Sequence, residues 1–111
     1  MPALRFVCNN AIPCGAGLGS SSAAIIAGVA AAFALMNKPL TGDADEALLQ
    51  IASRLEGHVD NIAACLYGGI RLGVHTGSRW ATFPVPTPAG LKVCVCKLLV
   101  PARYACFHVL L

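Results

Sequence analysis

A run rich in glycine and serine has the residue types and spacing to bind an anion. Three glycines, Gly15, Gly17 and Gly19, lie within five positions, and three serines follow at positions 20–22. Glycine permits backbone angles that other residues avoid, and it lets a ligand approach the main chain closely. If a helix begins at the serines, its first amides lack internal partners and bear partial positive charge. A glycine loop that leads into a helix therefore predicts an anion site, most often one for phosphate.

The same run also has a simpler interpretation, a flexible turn before a buried helix that a serine caps. A glycine-rich loop alone leaves the two interpretations about even. The run is neither G-x-x-x-x-G-K-[ST] nor G-x-G-x-x-G, so it lacks the fingerprints of P-loop and dinucleotide-binding proteins. Its order over residues 13–23, P-x-x-x-G-L-G-S-S-S-A, is more specific than that of a glycine-rich turn.

A second group of polar residues occupies positions 56–61, with the sequence E-G-H-V-D-N. Two carboxylates, an imidazole and an amide fall within six positions, although the chain has only five acidic residues. Asp60 or Asn61 could cap a short helix, but capping does not explain Glu56 and His58 beside them. Because perturbed acids and imidazoles gather at functional sites, a functional cluster and a structural one are about equally supported by the residues alone.

The elements that must position these groups are predicted from the spacing of apolar residues. A short β-prone strand over residues 4–8 leads into the glycine run, and an alanine-rich helix from residue 21 to about 36 follows it. That helix is apolar all round, so we expect it in the interior, where packing would hold its N-terminus still. An amphipathic helix over residues 44–55 comes next, with Asp43 and Glu46 as a variant of the capping box.

Beyond these helices, the pattern predicts a short buried helix and then strands. The apolar run at residues 62–67 predicts the helix, and Gly68 and Gly69 end it. Strand-like segments follow at residues 70–74, 79–85 and 91–96. Turn residues separate these segments, so we expect an antiparallel meander.

The composition of the chain narrows the classes of function. The net charge is +3 and no cluster of Lys and Arg exists, so a nucleic-acid partner is not expected. The longest apolar run, residues 23–36, is shorter than the roughly 20 residues of a spanning helix, which favours a buried helix over a membrane segment. The six cysteines show no C-x-x-C or zinc spacing, and we interpret them as reduced cytosolic thiols. With 57% hydrophobic and 12% charged residues, this single domain is either largely interior or part of something larger.

The two polar motifs, in this order, resemble those of the GHMP kinases, the family of galactokinase, homoserine kinase, mevalonate kinase and phosphomevalonate kinase. Residues 13–23 resemble the ATP-phosphate loop of that family. Residues 56–61, followed by Gly68 and Gly69, are similar to the E-G-H-P-D-N…G-G segment of the homoserine kinase branch. The histidine beside the Asp-Asn pair favours that branch, and the resemblance extends from about residue 4 to residue 95.

The resemblance implies an α/β (α+β) fold. It would be a two-layer sandwich like the ribosomal S5 domain 2-like fold of GHMP kinase N-terminal domains, with a left-handed crossover, and here incomplete. Residues 1–96 would form part of the N-terminal, ATP-binding domain, and residues 97–111 would be an atypical tail. The family's N-terminal substrate strand and its C-terminal half are missing from the sequence. We therefore hypothesise a truncated or mis-spliced gene model with a non-native tail.

The resemblance also implies a reaction, the transfer of the γ-phosphoryl group of ATP to the hydroxyl of L-homoserine, with Mg²⁺, in threonine biosynthesis in the cytoplasm. ATP and L-homoserine are the expected partners, without nucleic acid or membrane, and a homodimer is compatible with this interpretation. The alternatives are another GHMP kinase of the mevalonate or galactose type, a non-catalytic nucleotide-binding remnant, and a small membrane-associated protein built around residues 23–36. We expect little or no activity from the 111-residue chain because much of the family pattern is missing.

For the nucleotide, the resemblance assigns roles to individual residues. The residues expected to contact ATP are Pro13, Gly15, Ala16, Gly17, Leu18, Gly19, Ser20, Ser21 and Ser22. Ser20 or Ser21 would bind Mg²⁺ together with Glu56, because this ion prefers hard oxygen ligands.

For the second substrate, the resemblance assigns His58 and Asp60 to the amino acid. Asp60 and Asn61 would be the catalytic residues that place the reacting groups. Phosphoryl transfer needs mainly positioning of the reacting groups and neutralisation of charge, so the lack of an obvious catalytic base does not argue against this reaction. Val59 stands where the family motif commonly has proline, and we expect it to make this loop less rigid.

Overall fold

Three helices precede a β-hairpin in the computed structural model of the chain, which describes residues 3–95. The elements are α1 (Ser20–Leu35), α2 (Asp43–Glu56), α3 (Asp60–Tyr67), β1 (Ile70–His75) and β2 (Trp80–Val85). The three predicted helices and the strands predicted at residues 70–74 and 79–85 are confirmed, with ends that shift by one or two residues. The predicted tail, residues 97–111, lies outside the described residues.

The two strands form an antiparallel hairpin. Ile70 pairs with Val85, Leu72 with Phe83, and the register continues to the turn. At the turn, the backbone N–H and the hydroxyl of Thr76 both donate to the carbonyl of Arg79, each at 2.9 Å. The hairpin packed beside helices confirms the predicted fold class, an incomplete α/β (α+β) domain.

Two predicted strands do not form in the described part of the chain. Residues 4–8 and 91–95 have no strand structure, and Cys96, the last residue of the second segment, lies outside the described residues. A strand needs a neighbour for its backbone N–H and C=O groups. Because the hairpin is the only sheet within residues 3–95, neither segment has such a neighbour, and the predicted three-stranded meander is a two-stranded hairpin.

The helices begin without the predicted side-chain caps. The N-caps are Gly19 for α1, Gly42 for α2 and Val59 for α3, and none of these three makes a side-chain capping hydrogen bond. Ser20 and Asp43 are therefore the first residues of α1 and α2 and not their N-caps, and the prediction that Asp60 or Asn61 is the N-cap of α3 was wrong. For α1 and α2, a glycine with positive φ turns the chain into the helix, so the polar residue falls one position inside it.

The core lies where α1, α2 and α3 meet. Its buried members are Phe33, Leu48, Leu49, Ala52, Val59, Ile62 and Ala63. Only Ser22 and Phe33 of α1 are buried, and Leu35 is 56% exposed, so the prediction that α1 lies in the interior was wrong for this part of the chain. The physical reason is that α2 and α3 cover one side of α1 only.

Side-chain hydrogen bonds join the hairpin to α2. The Gln50 amide donates to the carbonyl of Trp80 at 2.6 Å and accepts from the Trp80 N–H at 2.9 Å. Glu46 accepts from Gln50 at 2.9 Å and from Arg79 at 2.8 Å. These bonds hold the start of β2 against α2.

Among residues 3–95 no helix has the length and apolarity to span a bilayer.

Candidate functional site

Three glycines with positive φ shape the backbone of the glycine loop, residues 13–19. Gly15, Gly17 and Gly19 have φ angles of 66°, 64° and 72°, whereas Ala16 and Leu18 are not among the residues with positive φ. The sign of φ therefore alternates along the loop. A backbone that alternates in this way turns successive N–H groups toward one concave side. Ala16 is buried and ties the loop to the body of the protein, and the loop ends directly at the N-terminus of α1.

The three serines at the start of α1 have different surroundings. Ser20 lines a cavity beside α1. The Ser21 hydroxyl donates to Glu56 Oε1 at 2.6 Å. Ser22 is fully buried and its hydroxyl has no hydrogen-bond partner. The side chain of Ser22 is therefore enclosed by protein, while those of Ser20 and Ser21 lie at the surface.

A polar row runs from Ser21 through Glu56, His58 and Asp60 to Asn61. Glu56 is the last residue of α2, its side chain is only 9% exposed, and Oε1 lies 3.8 Å from His58 Nε2. The other imidazole nitrogen, Nδ1, lies 2.5 Å from Asp60 Oδ1. Asp60 Oδ1 also accepts from the backbone N–H of Asn61 at 2.8 Å. The start of α1, the end of α2 and the start of α3 thus bring together five of the residues singled out in the sequence.

The polar row meets the glycine loop at Asn61. A Cβ atom built on Gly19 would lie 3.6 Å from both Cβ and Cγ of Asn61, which is ordinary van der Waals contact. The two motifs, far apart in the sequence, are therefore close together at Gly19 and Asn61, and a hydrogen bond joins them through Ser21 and Glu56.

The oxygen atoms of Ser21 and Glu56 fit a small hard cation. Mg²⁺ typically binds one or two protein oxygens and takes the rest of its ligands from water and phosphate. Within residues 3–95, no group of three or more His, Cys, Asp or Glu side chains is arranged to hold a metal ion alone. A metal ion at Ser21 and Glu56 would therefore take its remaining ligands from water and a bound phosphate.

A cavity of about 320 Å³ lies beside the N-terminal half of α1, and sequence reasoning missed it. Residues 8–12 form one wall, and Ser20, Ala23, Ala24 and Ala27 form the other. Asn10 shapes the first wall, because its Oδ1 accepts from the N–H of Ile12 at 2.9 Å. The signal in the sequence was the spacing of the alanines, which places three small side chains near one face of a helix.

Comparison with known proteins identifies relatives of this chain. The family described as GHMP kinases N terminal domain matches residues 2–69. The homoserine kinase of Streptomyces avermitilis is 56% identical over 72 residues, which are 62% of this chain and 23% of the relative. That of Corynebacterium efficiens is 48% identical over 85 residues, 77% of this chain and 25% of the relative. That of Deinococcus radiodurans is 37% identical over 97 residues, 86% of this chain and 31% of the relative.

The chain spans about a quarter of the length of the curated relatives that it matches. No solved structure matches it.

Proposed function

The chain belongs to the GHMP kinase family, and we propose that it provides the ATP-binding part of a homoserine kinase, which phosphorylates the hydroxyl of L-homoserine. The observation that supports this most directly is the 2.6 Å hydrogen bond from Ser21, at the start of α1 just after the glycine loop, to Glu56 at the end of α2. It joins a surface suited to phosphate with one suited to a small charged substrate.

In this proposal, the triphosphate lies on the glycine loop. The N–H groups of the loop and the N-terminus of α1 would donate to phosphate oxygens, and the partial positive charge of the helix end would favour the anion. Ser21 and Glu56 would hold Mg²⁺, which would supply positive charge to offset that of the phosphates during transfer. The adjoining cavity of about 320 Å³, which is open to solvent, would take the nucleoside.

His58 and Asp60 would bind the amino acid beside the γ-phosphate. Their side chains are 50% and 75% exposed, so both can reach a ligand in solution. The Asp60 carboxylate can pair with an ammonium group and accept from a hydroxyl, and the His58 imidazole can donate to a carboxylate or hydroxyl. Asn61, between Asp60 and the glycine loop, would help to place the hydroxyl for transfer. We place this reaction in threonine biosynthesis in the cytoplasm.

The substrate is tested by equilibrium binding of L-homoserine, mevalonate and galactose in the presence of Mg²⁺ and a non-hydrolysable ATP analogue. We expect L-homoserine to bind most tightly, and His58→Ala to weaken its binding by about tenfold or more, as for the loss of a charge-assisted hydrogen bond. His75→Ala is the matched control, because His75 lies on the hairpin, outside the polar row. Preference for mevalonate or galactose, or an equal effect of the two histidine variants, would contradict the proposal.

A further inference from the structure

Val59 lies between His58 and Asp60 of the polar row, and it is the only buried residue of these three. It is 4% exposed and belongs to the core, together with Leu49 and Ile62. Its two neighbours in the sequence, His58 and Asp60, are largely exposed and contact each other. The short segment between α2 and α3 is thus anchored by one apolar side chain while the polar side chains on either side face outward.

Gly73, in the middle of β1, provides the space that Val59 occupies. A Cβ atom built on Gly73 would overlap Val59 Cγ1 and lie 3.7 Å from Val59 Cβ. The backbone does not require glycine here, because Gly73 is not among the glycines with positive φ and pairs regularly with Thr82. Glycine weakens a strand interior, and it often marks a close approach by another part of the protein. The close approach here is that of the Val59 side chain.

Val59 also determines where α3 begins. It is the N-cap of that helix, and its carbonyl accepts from the N–H of Ala63 at 2.7 Å. Asp60 and Asn61 are the first two residues of the helix, and Asn61 lies beside Gly19 of the glycine loop. A shift of Val59 would therefore move Asp60 and Asn61 together relative to the loop.

We propose that Val59 and Gly73 are positioning residues: the valine seated over the glycine fixes the His58–Asp60 pair against the glycine loop. That this pair binds an amino acid rests on the function proposed above, but the positioning itself does not. A methyl group at position 73 would displace Val59 from its seat. The imidazole and the carboxylate would then separate, although neither side chain has been changed.

The test is the NMR signal of the His58 ring in Gly73→Ala, Val59→Ala and the double variant, each shown to be folded by circular dichroism. Gly28→Ala is the matched control, because a Cβ at Gly28 meets nothing within 4 Å and its φ is ordinary. We expect Gly73→Ala to shift the His58 signal and the control to leave it unchanged. In the double variant the smaller side chain at 59 makes room for the new methyl group, so its signal should be closer to wild type than that of either single variant.

If Gly73→Ala does not fold, Val59→Ala alone decides, because it removes the anchor without creating a clash. An unchanged His58 signal in a folded single variant would overturn the proposal, and so would a double variant no closer to wild type than the single ones. A second readout is the affinity for L-homoserine, which should fall about tenfold in Gly73→Ala and recover in the double variant, as expected for a misplaced binding group. Failure of all variants and wild type to bind L-homoserine would contradict the proposed function and leave the His58 result standing.

Discussion

At the residue scale, the contact between Ser21 and Glu56 joins the two motifs of the chain. Each motif is visible in the sequence, since glycine spacing and a cluster of acids with a histidine can be recognised locally. Their hydrogen bond links residues 35 positions apart, so its 2.6 Å distance could not be predicted from local patterns. The proximity of Asn61 to Gly19 was hidden for the same reason. The proposed metal and triphosphate sites depend on both features.

Glu56→Gln tests the proposed metal ligand. The substitution removes one negative charge but keeps the size of the side chain and an oxygen for Ser21. We expect the affinity for ATP in the presence of Mg²⁺ to fall by about tenfold or more, because the cation loses a charged oxygen ligand. Without Mg²⁺, the affinity for ATP should stay the same or rise, since a charge that repels phosphate is gone. Calorimetric titrations with Mg²⁺ and with a chelator measure both quantities.

The control for this prediction is Asp45→Asn, which removes the same charge on the same helix, outside the polar row. A loss of Mg²⁺-dependent affinity that is equal in Asp45→Asn and Glu56→Gln would mean that only the net charge matters. Glu56 would then not be a metal ligand.

The environment of Tyr67 leads us to predict that the free energy of unfolding depends on pH at alkaline pH. Burial raises the pKa of its phenol above the usual value of about 10, the carboxylates of Glu46 and Asp45 raise it further, and Arg71 lowers it. Because the folded state binds this proton more tightly, the stabilisation is complete below the unfolded pKa and is lost as pH rises through the folded pKa. Tyr67→Phe should lack this alkaline loss.

The free energy of unfolding of wild type and Tyr67→Phe, measured in urea under reducing conditions from about pH 8 to pH 12, checks this prediction across the titration range of phenols. The difference between the two proteins should change with pH in the direction that favours the phenylalanine at the alkaline end. A constant difference across the range would show that burial of Tyr67 does not shift its titration.

At the scale of elements, local patterns predicted the helices and the hairpin but not the remaining strands. Residues 44–55 have an apolar stripe with helical spacing, and the turn after Val74 is marked by glycine and serine, so both signals are contained within the element. Residues 4–8 are equally β-prone, yet a strand exists only where another strand pairs with it. The position of the N-cap of α1 and α2 was not predicted either, because in each case a glycine with positive φ precedes the helix and the polar residue after it is the first helical residue.

The link between α2 and the hairpin is tested by Gln50→Ala. This substitution removes both hydrogen bonds between the Gln50 amide and the backbone of Trp80. At about 0.5–1.5 kcal/mol for each bond, the free energy of unfolding should fall by about 1–3 kcal/mol. Arg54→Ala, at an exposed position on the same helix, should change it by less than about 0.5 kcal/mol. Chemical denaturation measures both, and equal effects would mean that the hairpin does not depend on Gln50.

At the scale of the whole molecule, the apolar composition exceeds what the interior accommodates. The outer face of the hairpin is formed by large apolar side chains that are exposed in this structure: Ile70, Leu72, Val74, Phe83 and Val85. From 57% hydrophobic residues, the sequence predicted either a largely interior chain or a part of something larger. The exposed apolar side chains within residues 3–95 show that the chain is not largely interior, so the first alternative is wrong there.

The chain matches only part of each homoserine kinase relative, and this affects the activity that we expect. The glycine loop and the polar row both fall within the described residues, whereas the chain spans about a quarter of the length of the homoserine kinases that it resembles. The described residues therefore include the proposed nucleotide site, while most of the length of these relatives has no counterpart in the match. Binding of ATP and turnover of L-homoserine are separate properties of this chain, and binding is the more direct test of the proposed site.

The decisive measurement is calorimetric titration of the folded 111-residue chain with ATP and Mg²⁺, for wild type, Gly17→Val and Gly90→Val. Gly17 and Gly90 have φ angles of 64° and 82°, so a β-branched residue strains the backbone at both, but only Gly17 belongs to the glycine loop. If the loop holds the triphosphate, wild type and Gly90→Val bind ATP, and Gly17→Val does not. Binding that is unchanged in a folded Gly17→Val variant, or absent in the folded wild-type chain, would contradict a phosphate site at this loop.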